Sequence, residues 1–148
     1  MRQAWPAALL MLLQQATIAE PAELGALYGS WDPGGRAFEG EGALEVTEKT
    51  VSWAGCRNIP YKILDDRQME DYPHDWQHRK LPTDMTYRVI VLEIASNDCV
   101  NKNRMNIKHM RFIQFAIAPD YPKSAGVVFY DDWANDKWAG WGTYGNMK

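Results

Sequence analysis

Long hydrophobic runs are missing from this chain of 148 residues, and so are cysteine and histidine in any number: it has 2 Cys and 3 His. Its longest apolar stretch, Ala7 to Leu13, falls far short of the ~20 residues a helix needs to cross a bilayer, which argues against a permanent helical anchor. Neither cysteine has a second Cys or a His at ligand spacing, so the usual zinc sets are not encoded. There is no Gly-x-Ser-x-Gly, no phosphate-cradling glycine loop, no dinucleotide fingerprint and no Asn-x-Ser/Thr acceptor. Positive charge is not in excess either, with 16 Lys and Arg against 19 Asp and Glu. Such a chain has no broad field to draw in nucleic acid or an anionic membrane. The expectation is therefore no nucleic-acid partner, no membrane span and no cofactor.

What is present begins with an export signal. Met1 and Arg2 open with positive charge, the apolar run follows, and a more polar stretch leads to Thr17 and Ala19. That is the order of a cleavable signal peptide over residues 1–19, with small residues at the two positions the peptidase inspects. The competing reading, an amphipathic first helix, leaves unexplained why no acidic residue occurs before Glu20. Cleavage would remove one basic residue and no acidic one, leaving a mildly acidic single domain over residues 20–148. The predicted location is periplasmic or secreted. In an oxidising compartment an even cysteine count makes a Cys56–Cys99 bridge the default. Closing a loop of about 44 residues would contribute roughly 4 kcal/mol on the chain-entropy view.

The rest of the chain reads as short strands separated by Gly, Pro, Asn and Asp. The clearest pair is Ala43–Thr47 and Thr50–Trp53. A turn at Glu48-Lys49 sets Val46 against Val51 and Leu44 against Trp53, with Glu45 and Thr47 on the other face. One register thus sorts both strands into an apolar and a polar side. Further strands are expected at Tyr61–Leu64, Thr86–Ala95, Met110–Ala118, Gly126–Trp133 and around Gly140 to Gly145. Thr86–Ala95 is apolar on both faces at its centre, the mark of a central strand or one covered on its outer side. Only Asp71–Lys80 argues for helix, with an Asp cap, an early Pro and Pro82 beyond. The predicted fold is all-β: a small antiparallel up-and-down barrel or sandwich of six to eight strands with one short helical insert.

Leu27-Tyr28-Gly29-Ser30-Trp31 resembles the Gly-x-Trp signature that opens the first strand of lipocalins and related calycin barrels, carried here by Gly29 and Trp31. The resemblance implies a Trp plugging the closed end of a cup that holds a small apolar ligand. A smaller bacterial barrel of this type, the periplasmic inhibitor of secreted metalloproteases, is similar in size to this chain.

Two clusters could carry chemistry. In His74-Asp75-Trp76-Gln77-His78, residues four apart share a helix face, so His74 and His78 could grip one metal ion, with His109 the only other histidine. The pattern resembles the zincin motif with Asp75 in place of its Glu, but two surface histidines on a capped turn are the blander and favoured account. The second cluster is Trp133, Trp138, Trp141 and Tyr144 among Asp131, Asp132, Asn135 and Asp136. Aromatic faces beside short polar groups suit a sugar or a protein hot spot, or simply a core. With Trp31 and Trp53 these aromatics make up the candidate ligand-binding set. Asp65, Asp66, Glu70 and Asp71 read as an acidic loop, and Lys102, Arg104, Lys108 and Arg111 as a basic one. The first functional expectation is a non-enzymatic exported barrel holding a small apolar or amphipathic ligand. The alternatives are a protein-binding inhibitor or immunity-type factor acting on an exported hydrolase, and a small metal-binding protein. Oligomeric state is open.

Overall fold

The computed structural model describes residues 24–34, 42–53, 55–69, 86–95 and 110–146. A 3-10 turn, Leu24–Ala26, leads into eight strands: β1 Gly29–Pro33, β2 Leu44–Val46, β3 Thr50–Trp53, β4 Cys56–Gln68, β5 Arg88–Ile94, β6 Phe112–Ile117, β7 Ser124–Asp132 and β8 Lys137–Asn146. Each strand pairs antiparallel with the next, and β8 returns to β1, so the sheet closes as an up-and-down barrel. This is the all-β barrel expected. The candidate helix at Asp71–Lys80 and the polar stretch 97–108 lie outside the described residues.

The β2–β3 hairpin has the register its alternation demands, with Val46 opposite Val51 and Glu45 opposite Ser52. Glu48-Lys49 is a poor hairpin turn by itself. Thr47 compensates: its Oγ1 accepts the backbone N–H groups of Lys49 and Thr50, and its own N–H donates to the Thr50 carbonyl. Gly29 enters β1 at φ 136°, a conformation closed to residues with a Cβ, which explains glycine there.

Inward positions through the middle of the barrel are apolar, and the register sets polar residues on the inner face only toward strand ends, Asp66, Gln68, Arg88 and Asn146 among them. Trp31, Leu44, Ile90, Leu92, Ile113, Phe115, Val127, Phe129 and Tyr144 all belong to one buried cluster at 0 % exposure. An eight-stranded barrel is just wide enough for side chains to fill, and here aromatic rings cross it. Trp31 of β1 meets Phe115 of β6 with centroids 5.7 Å apart, and Trp53 of β3 stacks on Phe129 of β7 at 4.5 Å. Tyr144 sets its edge against Phe129. Leu27 closes the lumen beside Trp31 and accepts its indole N–H at 2.8 Å.

Outward positions divide. On β5 to β7, Val89, Val91, Gln114, Ala116, Val128 and Tyr130 are buried as well, and Met69, Phe112 and Trp133 pack on the apolar cluster among them. Two-sided burial accounts for the continuous apolar run in β5.

Strand β4 corrects the sequence reading. It is far longer than Tyr61–Leu64, and Asp65 and Asp66 lie within it rather than in an acidic loop. Asp66 receives a bidentate pair of hydrogen bonds from Arg88 at 2.8 and 2.7 Å. Asp65 Oδ1 accepts from Arg67 Nε at 2.7 Å. The carboxylates are thus neutralised along or across strands, a pairing invisible to local charge counting.

Candidate binding surface

The aromatics singled out in the sequence do not form one site. Trp31, Trp53 and Tyr144 face the lumen and are part of its packing. Trp133, Trp138 and Trp141 lie along the β7–β8 hairpin, where the register sets Trp141 beside Val128 and Trp138 beside Tyr130 on the outer wall. His74, His78, His109 and Cys99 lie outside the described residues, among which no group of His, Cys, Asp or Glu could hold a metal ion. Cys56 is buried at the start of β4.

The outward aim of Trp138 has a structural cause. Along β8, Tyr144, Gly142 and Gly140 pair with the inward residues Ala125, Val127 and Phe129. Regular alternation would carry Trp138 inward too. A register shift between Phe129 and Tyr130 brings Trp138 opposite Tyr130 instead, on the outer face. One extra residue in a strand exchanges its faces, and here it delivers an indole to the surface. Trp138 is 47 % exposed, whereas Tyr130 beside it is fully buried.

Next to Tyr130 across β6 stands Phe112, with the Arg111 guanidinium 5.7 Å from its ring centroid. The outer wall therefore carries a row of rings, Phe112, Tyr130 and Trp138, running from a cation-capped edge through a buried centre to an exposed indole. Arg111 is exposed and makes no ion pair among the described residues. It also lines a cleft of about 390 Å³ with Pro60, Tyr61, Lys62, Glu93 and Ile94.

The turn beyond β7 is held by its own polar residues. Asp132 Oδ1 accepts the Asn135 backbone N–H at 3.2 Å and Oδ2 accepts its side-chain amide at 2.6 Å. These bonds, the side-chain amide first, hold the Asp132 carboxyl below the ordinary Asp range. Trp133 folds back from this turn, and its indole N–H donates to Gln114 Oε1 at 3.3 Å. A buried glutamine on an outer wall is thus given an acceptor role.

No protein-family model, curated protein or solved structure matches this chain. Function must be read from the surface itself. The sequence reads Arg111 with Lys102, Arg104 and Lys108 as a basic loop and Phe112 within the strand Met110–Ala118, and neither reading joins them to the aromatics after Phe129 or shows the bulge that turns Trp138 outward.

Proposed function

We propose that this chain is an exported, non-enzymatic barrel that binds a partner protein on its outer wall, through Trp138 and the ring row leading to Arg111. The observation that carries this reading is the pair of aromatic bridges across the lumen, Trp31 to Phe115 and Trp53 to Phe129. A ligand in the cup would have to part them. Outside, an exposed Trp backed by Tyr and flanked by Arg is the composition that dominates binding energy at protein interfaces. A rigid sheet presents it with little ordering cost. Export and an oxidised Cys56–Cys99 bridge belong to the same proposal. Cys56 is disulfide-bonded, and Cys99 is the other cysteine of the chain. The partner class is an exported protein such as a hydrolase, held by an inhibitor or immunity-type factor.

One observation favours the lipocalin-like alternative, a small apolar ligand in the cup. Trp53 Nε1 is buried without a hydrogen-bond partner among the described residues, a donor that a ligand acceptor would satisfy. The two readings separate in one experiment. A photo-crosslinking residue at position 138, with the same residue at exposed Tyr121 as control, is expressed in the native host and the products are read by mass spectrometry. The expected result is one protein adduct specific to position 138, with native mass spectrometry showing no retained small molecule. A co-purifying apolar molecule, with equal crosslinking at both positions, would sink the protein-binding reading.

A further inference from the structure

The Trp138 face reaches further round the barrel than its row of rings. The register places Lys62 of β4 opposite Glu93 of β5 and Glu93 opposite Phe112 of β6. Phe112 in turn stands opposite Tyr130 of β7, and Tyr130 opposite Trp138 of β8. These five side chains form one line across the outer wall. Neighbouring strands lie about 4.8 Å apart, so the four steps span roughly 19 Å. A standard protein interface, with about 800 Å² on each partner, is wide enough to cover that line.

At the end away from Trp138 the line meets the cleft of about 390 Å³, where Ile94, Ala95 and the Tyr61 ring stand beside the charged Lys62, Glu93 and Arg111. Lys62 and Glu93 neutralise each other, Nζ to Oε2 at 2.8 Å. Arg111 is the charge left over. Arg67 and Arg88 both hold carboxylates of their own chain, whereas the Arg111 guanidinium makes no ion pair among the described residues. Asp132, which senses Arg111 from a distance, has both oxygens bonded to Asn135. The Arg111 backbone is fixed on both sides, its N–H donating to the Tyr130 carbonyl and its carbonyl accepting the Ile94 N–H. Its guanidinium lies over the Phe112 ring at 5.7 Å. A guanidinium held on a ring face keeps its fork of N–H donors available at the edge.

An acidic group on an apolar body complements this cleft. Its carboxylate meets the Arg111 fork in bidentate geometry, and its apolar part covers Ala95 and the Tyr61 ring. The whole chain carries a net charge of −3, so an acidic segment is drawn to this end of the face rather than to the barrel at large. We infer, resting on the protein-binding reading above, that the partner of the Trp138 face seats an acidic side chain with an apolar neighbour in the Arg111 cleft. One interface then runs from β4 to β8, anchored by an indole at one end and an arginine–carboxylate pair at the other.

Photo-crosslinking at two positions tests this. The reactive residue is placed at Ala95, exposed at the cleft, and in a separate chain at position 138, and both are expressed in the native host. The two positions should capture the same protein, and the peptide joined to position 95 should contain an Asp or Glu. Arg111→Glu, carried in the position-138 chain, lowers the adduct roughly tenfold. Arg57→Glu, the same change of charge outside this face, leaves it unchanged. Should Arg111→Glu lose the strand signature in far-ultraviolet circular dichroism, Arg111→Gln takes its place, with a smaller loss in the same direction. An adduct at position 138 that the folded Arg111 variant leaves unchanged overturns the inference and spares the protein-binding reading. So do equal losses from the Arg111 and Arg57 variants, a different protein or none at position 95, or a captured peptide without an acidic residue. No adduct at position 138 in the parent overturns both.

Discussion

Strands β2 to β4 and strands β5 to β7 enclose the same lumen, yet their outer faces follow opposite rules. Outward residues of the first group, such as Glu45, Arg57 and Lys62, are exposed and polar, and alternation along β2 and β3 is clean. Outward residues of the second group, such as Val89, Val91 and Tyr130, are as deeply buried as the lumen itself. Barrel closure dictates the inner face of every strand, because eight strands leave room only for interlocking side chains. It dictates nothing about the outer face, which takes the character of whatever it meets. Three strands of this barrel are therefore buried on both faces and three are exposed on the outer one, and the two groups differ in what a substitution can do.

A glutamate introduced on each outer face makes the contrast measurable. Val91→Glu strands a charge at a site with 0 % exposure and is expected to cost more than about 4 kcal/mol, or to prevent folding. Arg57→Glu, on the exposed wall, should stay within about 0.5 kcal/mol of the parent. Chemical denaturation of both variants checks the difference, and similar values would abolish the distinction between the two groups. The lumen should be indifferent to it. Phe115→Ala removes one partner of the Trp31 bridge, which joins β6 to β1 across the barrel. It is expected to cost about 3–5 kcal/mol and to weaken the near-ultraviolet dichroism of the buried rings. It would also leave an apolar cavity able to take a small hydrophobic probe. A loss below about 1 kcal/mol would mean that the bridge is not what fills the lumen.

How far the sequence discloses this plan depends on which forces are local. The Val46–Val51 register was legible because two adjacent strands share one pattern, and β5 betrayed its covered outer face by being apolar on both sides. The length of β4 was not, because Asp65 and Asp66 look like loop residues until Arg67 and, above all, Arg88 from the next strand neutralise them. Nor was the placement of Trp138. Period-two counting back from Tyr144 sends it inward, and only a register shift that depends on β7 reverses it. The division of Trp31, Trp53, Trp133, Trp138, Trp141 and Tyr144 between lumen and surface required the cross-strand pairing.

The smallest expected effect concerns the corner where the open wall is fastened to the rest. Tyr61 is half-buried against the core cluster, and its hydroxyl donates to the Thr47 carbonyl at 2.7 Å. Burial, aided by the nearby Tyr28 and Glu48, pushes the Tyr61 phenol up to about 12, against an ordinary value near 10. The folded state therefore favours the protonated phenol. Its contribution is fully present below the unfolded value and fades as pH rises through the folded one. Ultraviolet titration of the parent and of Tyr61→Phe should differ by one phenol that ionises late, and the stability of Tyr61→Phe should lose the corresponding decline between pH about 10 and about 12. The covered group supplies the contrast, since no such corner bond is needed where both faces are already buried. If the phenol missing from Tyr61→Phe instead titrates near 10 in the parent, the corner is open to water. The wall from β2 to β4 would then be held by its strand pairing alone.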